Sequence, residues 1–286
     1  MSKLMDPDLY ASLPAWKKAF VKMDEAIDRT CAYDGPPIKL TGSDGPLWLP
    51  AALGGSGPTP ASQAEYYARD QFETSTTGGV ECVTTSAVIA RNIVKNQILN
   101  KLGSGAGSEP DLEPKDFANQ TNSFNLFNWQ YRLPSFLPLV GGFMHPVLQL
   151  PHLLDHWGNE LNKKYHLSFS HTLTAHNSPD GLINNLRNNQ VTLVHGVWDK
   201  TFVDSSSGSF RFDIATLLGG TPHTMPLVMY DASADHWWFY NLAWKYFHDP
   251  DPYLKLTTDQ LVAFWGRHYI LNTYTPPFAM TTLIVH

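Results

Sequence analysis

"PHTMPLVMYDASADHWWFYNLA", Pro222 to Ala243, decides how this chain is read. Two apolar runs flank the turn sequence "DASAD", Asp231 to Asp235, which is the layout of an antiparallel hairpin. The aromatic run Trp237 to Tyr240 alternates across such a sheet and belongs mostly to a core. His223 stands at the start of the first strand and Asn241 at the end of the second. In an antiparallel pair the start of one strand lies beside the end of the next. The two side chains are therefore expected as neighbours, although 241 − 223 = 18 positions separate them.

Working outward, "LINNLRNN" from Leu182 predicts a short helix and "QVTLVHGVW" from Gln190 a strand. "TTDQLVAFWGRHY" from Thr257 predicts a helix with a threonine cap, and "FAMTTLIVH" a closing strand. Helical patterns fill the first half of the chain: one with Trp16, Phe20, Met23 and Ile27 on one face, and another around "VLQLPHLLDHWGNELNKKY". Helices first and antiparallel strands afterwards indicate an α+β fold.

Cys82 opens the clearest helix. Val83, Ala87, Ala90, Val94 and Ile98 recur at helical spacing and form one apolar face. Gly103 is a natural stop. A helix N-terminus favours the thiolate, and the Gly78-Gly79 pair lets backbone approach as an oxyanion pocket needs. Glu81 works in the opposite direction. On position alone Cys82 is either a nucleophile or a small buried hydrophobe. A cysteine nucleophile needs an imidazole base and an orienter for it, and His223 with Asn241 supply both types. The spacing 223 − 82 = 141 falls within the range of about 130–150 residues found in papain-like enzymes.

The bulk numbers set bounds. The chain has 286 residues, 43% of them hydrophobic, and a net charge of −6. That suits a sizeable core and argues against nucleic acid as a partner. Two cysteines, Cys31 and Cys82, build no disulfide scaffold; Cys31 reads as structural. The opening residues carry no apolar stretch of signal-peptide length, so a cytoplasmic protein is expected. The longest uncharged stretch, Leu133 to Leu154, is broken by four prolines and a Gly-Gly pair, which does not suit a membrane span. A wall beside the cleft, formed from 119–154, is expected instead.

The ordered set of Cys-bearing helix, "LRNNQVTLVHGVW", "PHTMPLVMYD", "WWFYNLA" and "TTDQLVAFW" resembles the bacteriocin-leader-processing (C39-like) group of papain-like cysteine peptidases. The resemblance covers Gln71 to about Leu102 and Asn188 to Val285. It implies a papain-like fold, with a helical part carrying the cysteine and an antiparallel sheet carrying His and Asn. It also implies a bacterial cysteine hydrolase of peptide or amide bonds that needs no cofactor and no metal. Cys82 would be the nucleophile, His223 the base, Asn241 its orienter and Gln71 the oxyanion donor. The sequence departs from the family in having Val83 where a glycine usually follows the nucleophile. Gln71 lies 82 − 71 = 11 residues before Cys82, farther than the family's Gln from its Cys. On this reading residues 1–60 are an extension packed on the core, and 61–286 are the papain-like domain, with an insertion at about 104–180.

Two other readings stand beside it. One is a papain-fold binding protein without catalysis. The other is a zinc hydrolase built on His152 and His156, which share a helix face, with His145, His166, His171 and His176 as further ligands. His195, inside "VTLVHGVW", either lines the cleft or is a polar ring satisfied within the sheet. His236 and His268 read as surface residues. Asp231 and Asp235 are the substitutes for Asn241 as orienter.

Overall fold

A computed structural model describes residues 47–49, 66–71, 81–103, 109–121, 130–131, 144–198, 221–242, 252–266 and 276–286. The helix around Trp16, Cys31, Gly78-Gly79, His268 and much of 119–154 lie outside the described residues.

The elements run β1 (Leu47–Trp48), α1 (Cys82–Leu102), α2 (Pro114–Thr121), α3 (Leu150–Tyr165), β2 (Phe169–Thr174), α4 (Pro179–Arg187), β3 (Val191–Trp198), β4 (Thr221–Asp231), β5 (His236–Tyr240), β6 (Tyr253–Leu256), α5 (Thr258–Trp265) and β7 (Ala279–Val285). The strands form one seven-stranded sheet in the order β2-β7-β3-β4-β5-β6, with β1 added to β4. Every pairing is antiparallel. The mixed helix and antiparallel-sheet class is the one the sequence indicates.

Helices cover both faces. On one face, α4 sends the Asn185 amide to Thr192 and Thr282 hydroxyls of β3 and β7. Gly196 shares the parity of Thr192, and a Cβ there would come within 2.6 Å of the Phe264 carbonyl and 2.7 Å of its ring. The missing side chain lets α5 lie directly on the strand. α5 is fixed at its start by a capping box between Thr257 and Gln260, which satisfies two of the otherwise orphaned helix-end groups. Trp237 Nε1 donates to Thr258 Oγ1 at 2.9 Å.

On the other face α3 packs against β2 and α1, and α1 lies across β4, β3 and β7. The amphipathic pattern expected for α1 is corrected here. Every residue from Cys82 to Ala90 is buried, as are Asn92 and Lys95 on its later turns. The helix is largely enclosed by sheet, α3 and the 109–113 strap. Ser86, Asn92 and Lys95 find partners inside the protein, while the buried Thr84 and Thr85 hydroxyls have none among the described residues. Asn92 Nδ2 donates to the Leu112 carbonyl, and Asn92 Oδ1 accepts from the Leu112 N–H, both at 2.9 Å. The stretch read as an insertion contributes α3 and β2, and β2 joins the same sheet along its full length beside β7.

β4 does the work of opening the sheet. Its first half pairs with β3, His223 opposite Gly196 and Thr224 opposite His195. Its second half pairs with β5, starting only at Leu227 opposite Phe239. A register shift between Leu227 and Met229 marks where the ladder changes. Before Leu227, β4 has no β5 partner.

Candidate active site

The first turn of α1 docks on the stretch of β4 that β5 leaves uncovered. Ser86 Oγ donates to the Thr224 carbonyl at 2.8 Å. The Thr224 backbone N–H hydrogen-bonds the Cys82 sulfur. Ser86 follows Cys82 by four residues, so both side chains lie on one helix face and grip the same strand residue. Cys82 is thus held beside the residue that follows His223.

On the opposite lip, β5 ends and Asn241 follows. The Asn241 N–H donates to the Pro252 carbonyl at 2.9 Å. The Gln71 N–H donates to the Leu242 carbonyl at 2.7 Å. Gln71 is thereby attached at the residue after Asn241, and Cys82 at the residue after His223. By strand parity His223 and Asn241 belong to the same sheet face as Trp237 and Phe239. The contacts tie Cys82 to the Thr224 backbone and Gln71 to the Leu242 carbonyl; His223, opposite Gly196, shares the sheet face that α5 covers, whereas α1 lies on the other face.

The electrostatics are those of a dry site. Burial pushes the Cys82 thiol up to about 11; hydrogen bonds from the Thr224 and Val83 backbone oppose the shift, and the Glu81 carboxylate adds to it. Cys82 as a whole residue is 6% exposed. Burial pushes the His223 imidazole down to about 4, although part of that side chain still reaches solvent. The resting pair is therefore a neutral thiol and a neutral imidazole over the whole range between those values.

Gln71 is held from behind by a charged lattice. Arg69, two residues earlier, contacts Glu113 at 2.9 Å and Asp111 at 3.9 Å. Asp111 also pairs with Lys95 of α1, whose Nζ donates to the Glu109 carbonyl at 2.7 Å. Arg91 and Lys164 pair with Glu109 at 2.5 and 3.0 Å. The strap 109–113 thus ties α1, α3 and the Gln71 segment together.

The histidines around α3 are engaged otherwise. His156 contacts Glu160 at 3.2 Å, and its ring lies 5.5 Å from that of Tyr131. His171 bonds Asp155 at 2.8 Å. Among the described residues no three metal-ligating side chains converge, at His152 and His156 or elsewhere. Of the substitute orienters, Asp231 accepts from Ser233 in the hairpin turn and Asp235 pairs with Thr258.

Two contributors escaped the sequence reading. Thr224 is one, since it acts through its backbone and leaves no residue signature. Ser86 is the other; its spacing from Cys82 was the available signal.

No family model matches the chain, and no curated protein matches it. Among solved structures it is similar to a Bacillus anthracis protein provisionally assigned as a C39-like peptidase. The two share 12% identity over 72% of this chain and 88% of that one, with a TM-score of 0.37. A likeness of that depth carries nothing about the site. Among the described residues no helix is long and apolar enough to cross a membrane.

Proposed function

We propose that the protein is a papain-like cysteine hydrolase that cleaves an amide bond through a thioester. The observation that supports this reading most is the pair of backbone contacts near the β4–β5 opening, which hold Cys82 at Thr224, the residue after His223, and Gln71 at Leu242, the residue after Asn241. In the proposed cycle Cys82 Sγ attacks the acyl carbon as its proton passes to His223. The carbonyl π electrons move to oxygen, and the oxyanion is held by the Gln71 side chain and the Cys82 backbone N–H. Collapse breaks the C–N bond, and His223 returns the proton to the leaving amine. Water, deprotonated by the same imidazole, then hydrolyses the thioester and restores the thiol. Asn241 orients the imidazole. With both groups neutral at rest, His223 acts as a general base rather than as half of a preformed ion pair.

The buried thiol supports a second reading, a papain-fold binding protein whose cysteine is inert. An activated ester separates the two. A hydrolase forms a covalent acyl adduct on Cys82, seen as a mass increase and lost in Cys82→Ala. A protein that takes up no acyl group on Cys82 while folded is not a hydrolase of this kind.

A further inference from the structure

We infer that His195 is a positioning residue: through Thr224 it sets where the first turn of α1, and therefore the Cys82 sulfur, sits against β4. The inference rests on the hydrolase reading for its catalytic consequence, but not for its physical content.

His195 lies at the centre of the sheet and is fully buried. Its Nδ1 is 2.9 Å from Thr224 Oγ1 on β4, and its Nε2 is 2.8 Å from Thr281 Oγ1 on β7. One imidazole thus bridges three strands. A neutral imidazole has one donor and one acceptor nitrogen, so one threonine donates and the other accepts. Both hydroxyl oxygens are thereby held in place, and neither ring nitrogen is left unsatisfied.

Thr224 is the point where this bridge meets the candidate site. Its side chain is held by His195. Its carbonyl accepts from Ser86, and its N–H reaches the Cys82 sulfur. All of its polar groups are committed, and two of them anchor the helix that carries the thiol. A fully satisfied buried network defines one arrangement where apolar packing tolerates several. An aliphatic residue at 195 would fill the space and leave the rotamer of Thr224 undetermined. The contact on the sulfur comes from the backbone, so loss of the bridge acts on it through a shift of β4 itself, which the hydroxyl–imidazole–hydroxyl link otherwise ties to β3 and β7. The charged group that bears on the thiol is Glu81 on the preceding residue; His195 contributes hydrogen bonds and no charge.

The test uses the full chain with Cys31→Ser, so that Cys82 is the remaining thiol. Alkylation of Cys82 by iodoacetamide is followed as a function of pH, alongside single-turnover acylation by an activated ester. His195→Leu should slow acylation by about tenfold, as displacement of a reacting group does, and should move the alkylation pH profile upward. His195→Asn places an amide near the Nδ1 position and should restore most of both. Thr224→Val keeps the backbone but removes the bond to His195, and should resemble His195→Leu even if the latter folds poorly. Unchanged alkylation profiles in folded His195→Leu and Thr224→Val, with only thermal stability lowered, would make His195 a core residue and overturn the inference. If wild type forms no acyl-enzyme but the alkylation profile still shifts with His195, the positioning stands and the hydrolase reading fails.

Discussion

The two sides of α1 solve the same problem differently. Toward the sheet, Cys82 and Ser86 meet neutral groups: the Thr224 backbone, backed by a hydroxyl–imidazole–hydroxyl bridge. Toward the strap, Lys95 and Arg91 meet Asp111 and Glu109 in a lattice of ion pairs. The neutral side is fully enclosed, where an unbalanced charge would be prohibitive. The charged side borders residues that keep partial contact with water, such as Glu113 and Lys164, where opposed charges can be balanced. One helix is therefore seated by directional neutral contacts at its N-terminal end and by charge matching along its flank.

This contrast can be broken from either side. The largest effect is expected on the charged flank. Asp111→Ala leaves the Lys95 ammonium, 3% exposed, without its carboxylate. Stability should fall by about 3–5 kcal/mol, the usual cost of an uncompensated buried charge. Urea denaturation measures it, and Lys95→Met in the same background should recover much of the loss. A fall under 1 kcal/mol would mean that water reaches the lysine.

Gly196→Ala probes the sheet side. The added methyl collides with the Phe264 backbone and ring, and α5 must lift from β3. A loss of about 1–3 kcal/mol follows from overpacking, read as a shift of the urea midpoint. An unshifted midpoint would show that α5 is loosely held there.

A pH experiment distinguishes the two sides. Burial lowers His195 to about 3 and His223 to about 4. Below the ordinary histidine value of about 6.5 the unfolded chain takes up protons that the folded imidazoles refuse. Their stability contribution is present above that value and is lost as pH falls toward 4 and then 3. The slope is about 1.4 kcal/mol per pH unit for each such histidine. His195→Leu should lower the slope between pH 6 and 4.5 by up to about 1.4 kcal/mol per pH unit relative to wild type, leaving the share of His223 and of the half-buried His145. Equal slopes would place the acid sensitivity in the carboxylates of the strap.

The smallest effect is expected at the orienter. Asn241→Ala should lower the acylation rate by about tenfold, because it removes orientation and leaves the nucleophile and base in place. Rates equal to wild type would make Asn241 a strand-end residue only.

How much of this is legible in the sequence depends on where each signal is stored. The β4–β5 hairpin is legible because its apolar runs and turn residues are local. α5 is legible from its threonine cap, and α4 from its short periodic run from Leu182, although the helix itself begins earlier, at Pro179. β2, "FSHTLT", is polar at most positions and lies at the sheet edge, so no apolar run marks it and it passes unread. β6 is four residues long and similarly silent. α1 is recognisable as a helix, but its enclosure depends on α3 and the strap, which long-range packing brings to it. The Lys95–Asp111 pair spans a loop of glycines and serines that fixes no geometry in sequence. His195 is visible as a polar ring within a strand, while its partners Thr224 and Thr281 become apparent only once the strand register is known. Cys82, His223, Asn241 and Gln71 can be nominated from the order of motifs. Their pairing through backbone contacts at Thr224 and Leu242 cannot, since backbone groups are the same for every residue.

The central claim is that Cys82 is a nucleophile served by His223. Its most direct measurement is intact-protein mass spectrometry after brief exposure to an activated ester, followed by peptide mapping, on wild type, Cys82→Ala and His223→Ala. The account predicts a single acyl adduct on Cys82 in wild type, none at that position in Cys82→Ala, and formation slowed by at least about a hundredfold in folded His223→Ala, as loss of the base requires. An adduct confined to Cys31 or lysines, or acylation of Cys82 at the same rate without His223, would contradict it.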